Sequence, residues 1–366
     1  MSDGPAGRGW DWLVQEARAA RFTLIGEEHG VAETAQFSAA LFNALRGSGY
    51  SRMAIEVSPI IAQDIEAAGR RNGYQGIVDF LTAPGTFTFY SNMREEMQFL
   101  ADVIKAAPKG ERVLWGLDRE VFADRYLISK LEARVPQRAR EAFTRLKEAS
   151  AKAWVQGNPF TMSQQDPAVV SAVRAAWPNP DPESDTILRT LEGSLAIMVP
   201  TNNWVYSQRR AQWNRDNLAA LLRAEQKRKV PAKVMMKFGY NHMIRGANYA
   251  NTFDLGAMAD EVAALTGERA FHILVLPGRG SRQAVPGPAG VSVSSDEVDE
   301  FRAGDQRLTR VLPNANATGH EVIDFRALRP LAQRGLEGWN PDVVRTIYGY
   351  DAAVIWKGAH ASSSLR

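Results

Sequence analysis

The sequence predicts an α/β fold: a mainly parallel sheet flanked by helices, with a helical insertion or cap. Short apolar runs rich in β-branched and aromatic residues recur along the chain, and helical periodicity fills the intervals between them. That alternation is how parallel sheets are built, with helices covering both faces. A further observation, the loss of strand signals between about residues 121 and 224, marks the insertion. The expectation is one α/β domain over residues 1–366 with the insertion inside it, since 366 residues that are 45% apolar and 23% charged can form a sizeable core.

In chain order, Phe22–Ile25 reads as the first buried strand. Phe37, Leu41 and Leu45 then recur at i, i+4 and i+8, and Gly47 closes that helix. Met53–Val57 is the second strand. Met93, Met97, Leu100 and Ile104 share one face of a helix whose start, Asn92 followed three residues later by Glu95, resembles a capping box. Val113–Leu117 is the third strand. The insertion follows, with polar, proline-rich breaks at residues 156–159 and 178–182. Val234–Phe238, Phe271–Leu276 and Ala352–Trp356 complete the strands. Residues 277–300 and 313–316, rich in Gly, Pro, Ser and Asn, read as long surface loops.

The chain has no cysteine, which excludes a disulfide framework, a thiolate metal site and a cysteine nucleophile together. A formal net charge of +3, from 44 basic and 41 acidic residues, argues against a dedicated nucleic-acid binder. The densest basic run, Glu225 to Lys229, reads as a solvated helix end. No apolar run is long enough for a signal peptide or a membrane span, so the expectation is a cytoplasmic protein whose partner is a small-molecule substrate or ligand. The oligomeric state stays open.

In open parallel sheets, ligands bind at the carboxyl ends of the strands. Four strands in this chain each deliver an ionisable group to that edge, with polar neighbours: Glu27, Glu28 and His29 after the first, Glu56 near the end of the second, Asp118 after the third, and His242 with Tyr240 and Asn241 after Val234–Phe238. Each has a structural alternative. Glu27 and Glu28 fit the acidic first turn of a helix, His29 a turn, Asp118 a helix cap and His242 a bonded core histidine. Glu56, inside an apolar strand, must be paired or solvated in a cleft. Strand alternation would place one of Glu27 and Glu28 in the site with His29, and the other against backbone or a helix.

A histidine flanked by carboxylates is held in one tautomer and can deprotonate water or a hydroxyl near neutral pH, which suits ester or amide hydrolysis. His29, Glu56 and His242 are equally ordinary ligands for a divalent metal, and residue types alone do not separate the two schemes. Arg94 and Arg215 are candidates to bind a substrate carboxylate or oxyanion, with helix pairing or solvent as the alternative. No G-x-S-x-G elbow, Walker loop or H-E-x-x-H is present. Trp154, Trp177, Trp204 and Trp213 fall in the insertion, where they pack or contact an apolar or planar ligand.

Leu24-Ile-Gly-Glu-Glu-His-Gly30, Ala54-Ile-Glu56, Arg94 to Leu100, Trp115-Gly-Leu-Asp118, Arg215-Asp-Asn217 and Lys237-Phe-Gly-Tyr-Asn-His242 follow one another as in erythromycin esterase-like proteins. The G-E-x-H spacing also resembles the ChaN-like haem-binding proteins of the wider Tiki group. The resemblance, in patches from about residue 20 to 245, implies an α/β fold and a hydrolase. His29 would act on water, Glu27 and Glu56 would support it, and His242 would be the second histidine of the cleft. The ChaN side implies a haem or planar-ligand holder without turnover. Erythromycin esterases have one more residue between Glu and His, which leaves both Glu27 and Glu28 as counterparts. They also carry a second histidine near the last motif, where this chain has Gly-Tyr-Asn-His-Met.

Overall fold

The computed structural model describes residues 6–88, 90–108, 110–155, 165–198, 202–283, 295–299, 319–334 and 340–365. The strands are β1 (Phe22–Glu27), β2 (Tyr50–Ile55), β3 (Leu114–Gly116), β4 (Lys233–Gly239), β5 (Ala270–Gln283), β6 (Ser295–Asp299), β7 (Gly319–Asp324) and β8 (Ala352–Ala359). Before β4 come helices α1 (Arg8–Ala19), α2 (Ala32–Leu45), α3 (Pro59–Thr82), α4 (Arg94–Ala106), α5 (Asp124–Glu132), α6 (Arg140–Val155), α7 (Ala168–Ala176), α8 (Pro182–Met198) and α9 (Asn203–Glu225). After it come α10 (Tyr240–Met243), α11 (Leu255–Leu265), α12 (Arg329–Arg334) and α13 (Pro341–Gly349).

All eight strands form one sheet in the order β3-β2-β4-β1-β5-β8-β7, with β6 paired to the end of β5. From β3 to β8 the pairing is parallel, while β6 and β7 run antiparallel to their neighbours. The α/β architecture expected from the sequence is therefore present. Between β3 and β4 the described residues carry five helices and no strand.

Each expected strand forms, and two more appear. β7 has a half-exposed, polar pattern, and neither it nor β6 offers the apolar run that betrays a buried strand. The glycine- and proline-rich stretch from Pro277 is not all loop, because β5 continues to Gln283 and pairs with β6. Residues 156–159 and 313–316 lie outside the described residues.

The expected capping box is also corrected. Met93, not Asn92, precedes the first turn of α4, and no side chain caps it. Asn92 has φ 90°, and its side-chain oxygen accepts instead from Ser364 Oγ and Leu365 N, while Glu95 accepts from Ser363 N. These side chains hold the C-terminal segment.

The sheet buries an apolar layer on each face. Phe22, Leu24, Met236 and Phe238 pack with α9 and α11 on one side, and Ile25, Met53, Ile55 and Met235 pack with α2, α3 and α4 on the other. Alternation puts Glu27 and Lys237 on the second face. Because β3, β2, β4 and β1 are adjacent and parallel, their carboxyl ends lie side by side. That adjacency brings Asp118, Glu56, His242 and Glu27 together.

β3 approaches the start of α3 so closely that a Cβ on Gly116 would lie 2.3 Å from the Ser58 carbonyl oxygen. Gly116→Ala is expected to destabilise the chain by about 1–3 kcal/mol through overpacking, read as a lowered urea midpoint.

Candidate active site

β1 delivers Glu27, which is 1% exposed, and the next turn carries His29 back over it. Gly30, at φ 81°, makes that turn; a Cβ there would lie 2.1 Å from the Gln283 carbonyl oxygen. His29 Nδ1 lies 3.0 Å from Glu27 Oε1, and its Nε2 faces Glu56 Oε2 at 3.5 Å. Glu56 Oε2 accepts from the Gly239 backbone N–H at 2.7 Å. On the far side of Glu56, His242 Nε2 stands 3.7 Å from Oε1, while its Nδ1 is 2.6 Å from Asp254 Oδ2. Two carboxylate–histidine pairs, Glu27–His29 and Asp254–His242, thus turn their Nε2 atoms toward one carboxylate.

A buried and a half-buried cation offset this acidity. Lys237, fully buried, reaches Glu27 at 2.7 Å and Glu96 at 2.8 and 3.0 Å, and lies over the rings of Tyr90 and Phe99. Arg210 on α9 donates to Glu56 and, at 2.6 and 3.1 Å, to both oxygens of Asp118. Arg119 also grips Asp118.

Three solved structures share this architecture at low identity. One is a succinoglycan biosynthesis protein, with 13% identity, 98% of this chain and 94% of that chain covered, and a TM-score of 0.65. Another is a mutant of the erythromycin esterase EreC in its open conformation, with 14% identity, 97% and 95% covered, and a TM-score of 0.60. The fold is erythromycin esterase-like. A Bacillus cereus protein is similar to the same extent, with 13% identity, 99% and 95% covered, and a TM-score of 0.60. No protein-family model and no curated protein matches the chain.

Of the residues singled out in the sequence, Glu27, His29, Glu56, Asp118 and His242 converge. The Glu28 side chain points away and pairs with Arg282 of β5 rather than with a helix, while its backbone N–H donates to the Val275 carbonyl at 3.3 Å. Arg94 is exposed, its backbone N–H donating to Ser363 O, and Arg215 reaches the Phe253 carbonyl at 3.5 Å; neither enters the site. Tyr240 packs edge-on against Tyr249, and the Asn241 side chain accepts from Tyr249 N at 3.0 Å, so both shape the turn after β4. The sequence reading missed Arg210, Glu96, Asp254 and Lys237. A signal existed for the last, a lysine inside the apolar run Val-Met-Met-Lys-Phe, and for Asp254, an aspartate heading an apolar helix whose Leu255 N–H it accepts.

As arranged, the group does not fit a divalent metal ion. Among the described residues no three His, Asp or Glu side chains are arranged to hold an ion. The Arg210 guanidinium already lies against Glu56, and each site histidine has one ring nitrogen bonded to a carboxylate and the other facing Glu56.

Burial opposes every charge here, and the partners decide the outcome. Burial disfavours the His29 imidazolium, but the Glu56 charge and the Glu27 bond outweigh it, so His29 holds its proton above the ordinary histidine range. Glu56, against burial, is held down at about 2 by His29, Arg210 and His242. Glu96 is pushed up to about 7 by burial, with Lys237 only partly offsetting it.

The sign of each linkage follows. The contribution of His29 to stability is complete below the ordinary histidine value and is lost as pH rises through its raised folded value. That of Glu56 is complete above the ordinary carboxylate range and fades only as pH falls toward about 2. An NMR titration should find His29 protonated above the ordinary histidine midpoint, and Glu56→Gln should bring its midpoint down; an unmoved midpoint would contradict the pairing.

Lys237→Met strands two buried carboxylates and is expected to cost about 3–5 kcal/mol in urea unfolding. Adding Glu27→Gln and Glu96→Gln should recover most of that loss. A Lys237→Met protein with the parental midpoint would show that the ammonium is not needed.

Proposed function

We propose that this chain is a hydrolase that uses His29 to activate water against an ester or amide of a small molecule. The observation that carries this reading is His29 itself: Nδ1 is fixed on buried Glu27, the ring keeps 24% side-chain exposure, and Nε2 stands 3.5 Å from Glu56. With Nδ1–H donated to Glu27, the neutral ring presents its Nε2 lone pair as the base.

In the proposed step a water oxygen forms a bond to the substrate carbonyl carbon while its proton passes to His29 Nε2. The tetrahedral centre then collapses, the bond to the alcohol or amine breaks, and the leaving group takes a proton. His29 returns it. Glu56 stabilises the His29 imidazolium as it forms, and His242, oriented by Asp254, flanks Glu56 on its other side. Arg210 and the Gly239 N–H hold Glu56 ionised and in place.

His29→Ala is expected to abolish turnover of a panel of small esters and amides while circular dichroism stays parental. Since the base must be neutral, kcat/KM of the parental protein should rise with pH through a midpoint above the ordinary histidine value of about 6.5. Parental turnover in the His29→Ala protein would refute the assignment.

A further inference from the structure

Outside the charged cleft, a cavity of about 460 Å³ opens between the loop that follows α3 and the first turn of α5. Its walls include Leu81, Pro84, Phe87, Asn92, Arg125 and Trp154. The Arg125 guanidinium lies 3.7 Å from the centre of the Trp154 ring, a face-on cation–π contact.

What sets Arg125 apart is its lack of a counter-charge. Of the other half-buried arginines, Arg174 is matched by Asp185 and Glu192 and Arg245 by Asp260 and Asp351, while Arg215 at least donates to the Phe253 carbonyl. Arg125 has no hydrogen bond or ion pair with any described residue, and its Nε is buried without a partner. The neighbouring Asp124 carboxylate is turned away to Ser150 Oγ at 2.7 Å and Gln165 Nε2 at 2.8 Å. Burial lowers the proton affinity of Arg125, and Asp124 only partly offsets it. A half-buried cation beside an apolar cavity costs free energy unless something completes it.

The cavity is connected to the candidate active site through hydrogen bonds. The Asn92 carbonyl accepts from Gln283 Nε2, and Gln283 N donates to the Gly30 carbonyl, next to His29. Tyr90, from the same loop as Phe87 and Asn92, sits over Lys237.

We propose that this cavity binds an organic anion with a flat or apolar body, its charged group on the Arg125 guanidinium and its body along Trp154, Phe87 and Leu81. Taking that anion to be the far end of the substrate rests on the hydrolase reading; the binding itself does not. Arg suits the task because its donors match a carboxylate in pairs while its plane stays on the indole.

Isothermal titration of the full chain with 1-naphthoate, and with neutral 1-naphthalenemethanol as its partner probe, tests this without turnover. A failed titration therefore leaves the hydrolase reading standing, and an inactive enzyme leaves this one. Naphthoate should bind saturably and more tightly than the alcohol. Arg125→Gln should weaken naphthoate by about tenfold or more, the worth of a charge-assisted hydrogen bond, and leave the alcohol nearly unchanged. Trp154→Ala should weaken both. Arg125→Lys, which keeps the charge, should still prefer naphthoate and serves if Arg125→Gln does not fold. Absence of saturable naphthoate binding, parental naphthoate affinity in Arg125→Gln, or loss of the preference in Arg125→Lys would each overturn the proposal.

Discussion

The cost of burying carboxylates at the end of a parallel sheet governs this molecule. Glu27, Glu56, Glu96 and Asp118 are each at most 5% exposed, and an isolated charge in such a place is prohibitively expensive. Lys237 and Arg210 make the arrangement possible. Lys237 joins the strand ends to α4, and Arg210 joins them to α9 across more than 150 residues of sequence from Glu56. The positions of those two helices are therefore set by charge as well as by apolar packing.

With the anions fixed, the histidines acquire defined roles. Each has one nitrogen on a buried carboxylate and the other facing Glu56, so the tautomer of the neutral ring follows from the fold. The turn carrying His29 is tied down from several directions. The Gly30 carbonyl accepts from Gln283 N and Ser362 N, and Ala32 N donates to the His360 carbonyl. This bracing is the preorganisation that a site must have before substrate arrives.

The strand ends were legible because a strand buried on both faces leaves a continuous apolar run, and the polar residues that follow it stand out. Glu27, His29, Glu56, Asp118 and His242 were all found that way. Partners carried by helices were not, because the face a helix turns inward depends on neighbours far away in sequence. Arg215 was singled out where Arg210 does the work; five residues along a helix is a rotation of about 140°, enough to exchange the site for the surface. Asn92 and Glu95 had the right spacing for a cap, but the C-terminal segment claimed both side chains. β7 hid because an edge strand with polar, half-exposed residues carries no apolar run.

Lys237 has an evolutionary consequence. A fully buried ammonium held by one glutamate on a strand and another on a helix cannot be exchanged alone, because its loss strands both carboxylates at once. Positions 27, 96 and 237 should therefore drift as a unit, kept together or lost together across related chains. Around such a trio the rest of the sequence can diverge widely while the strand ends stay in register.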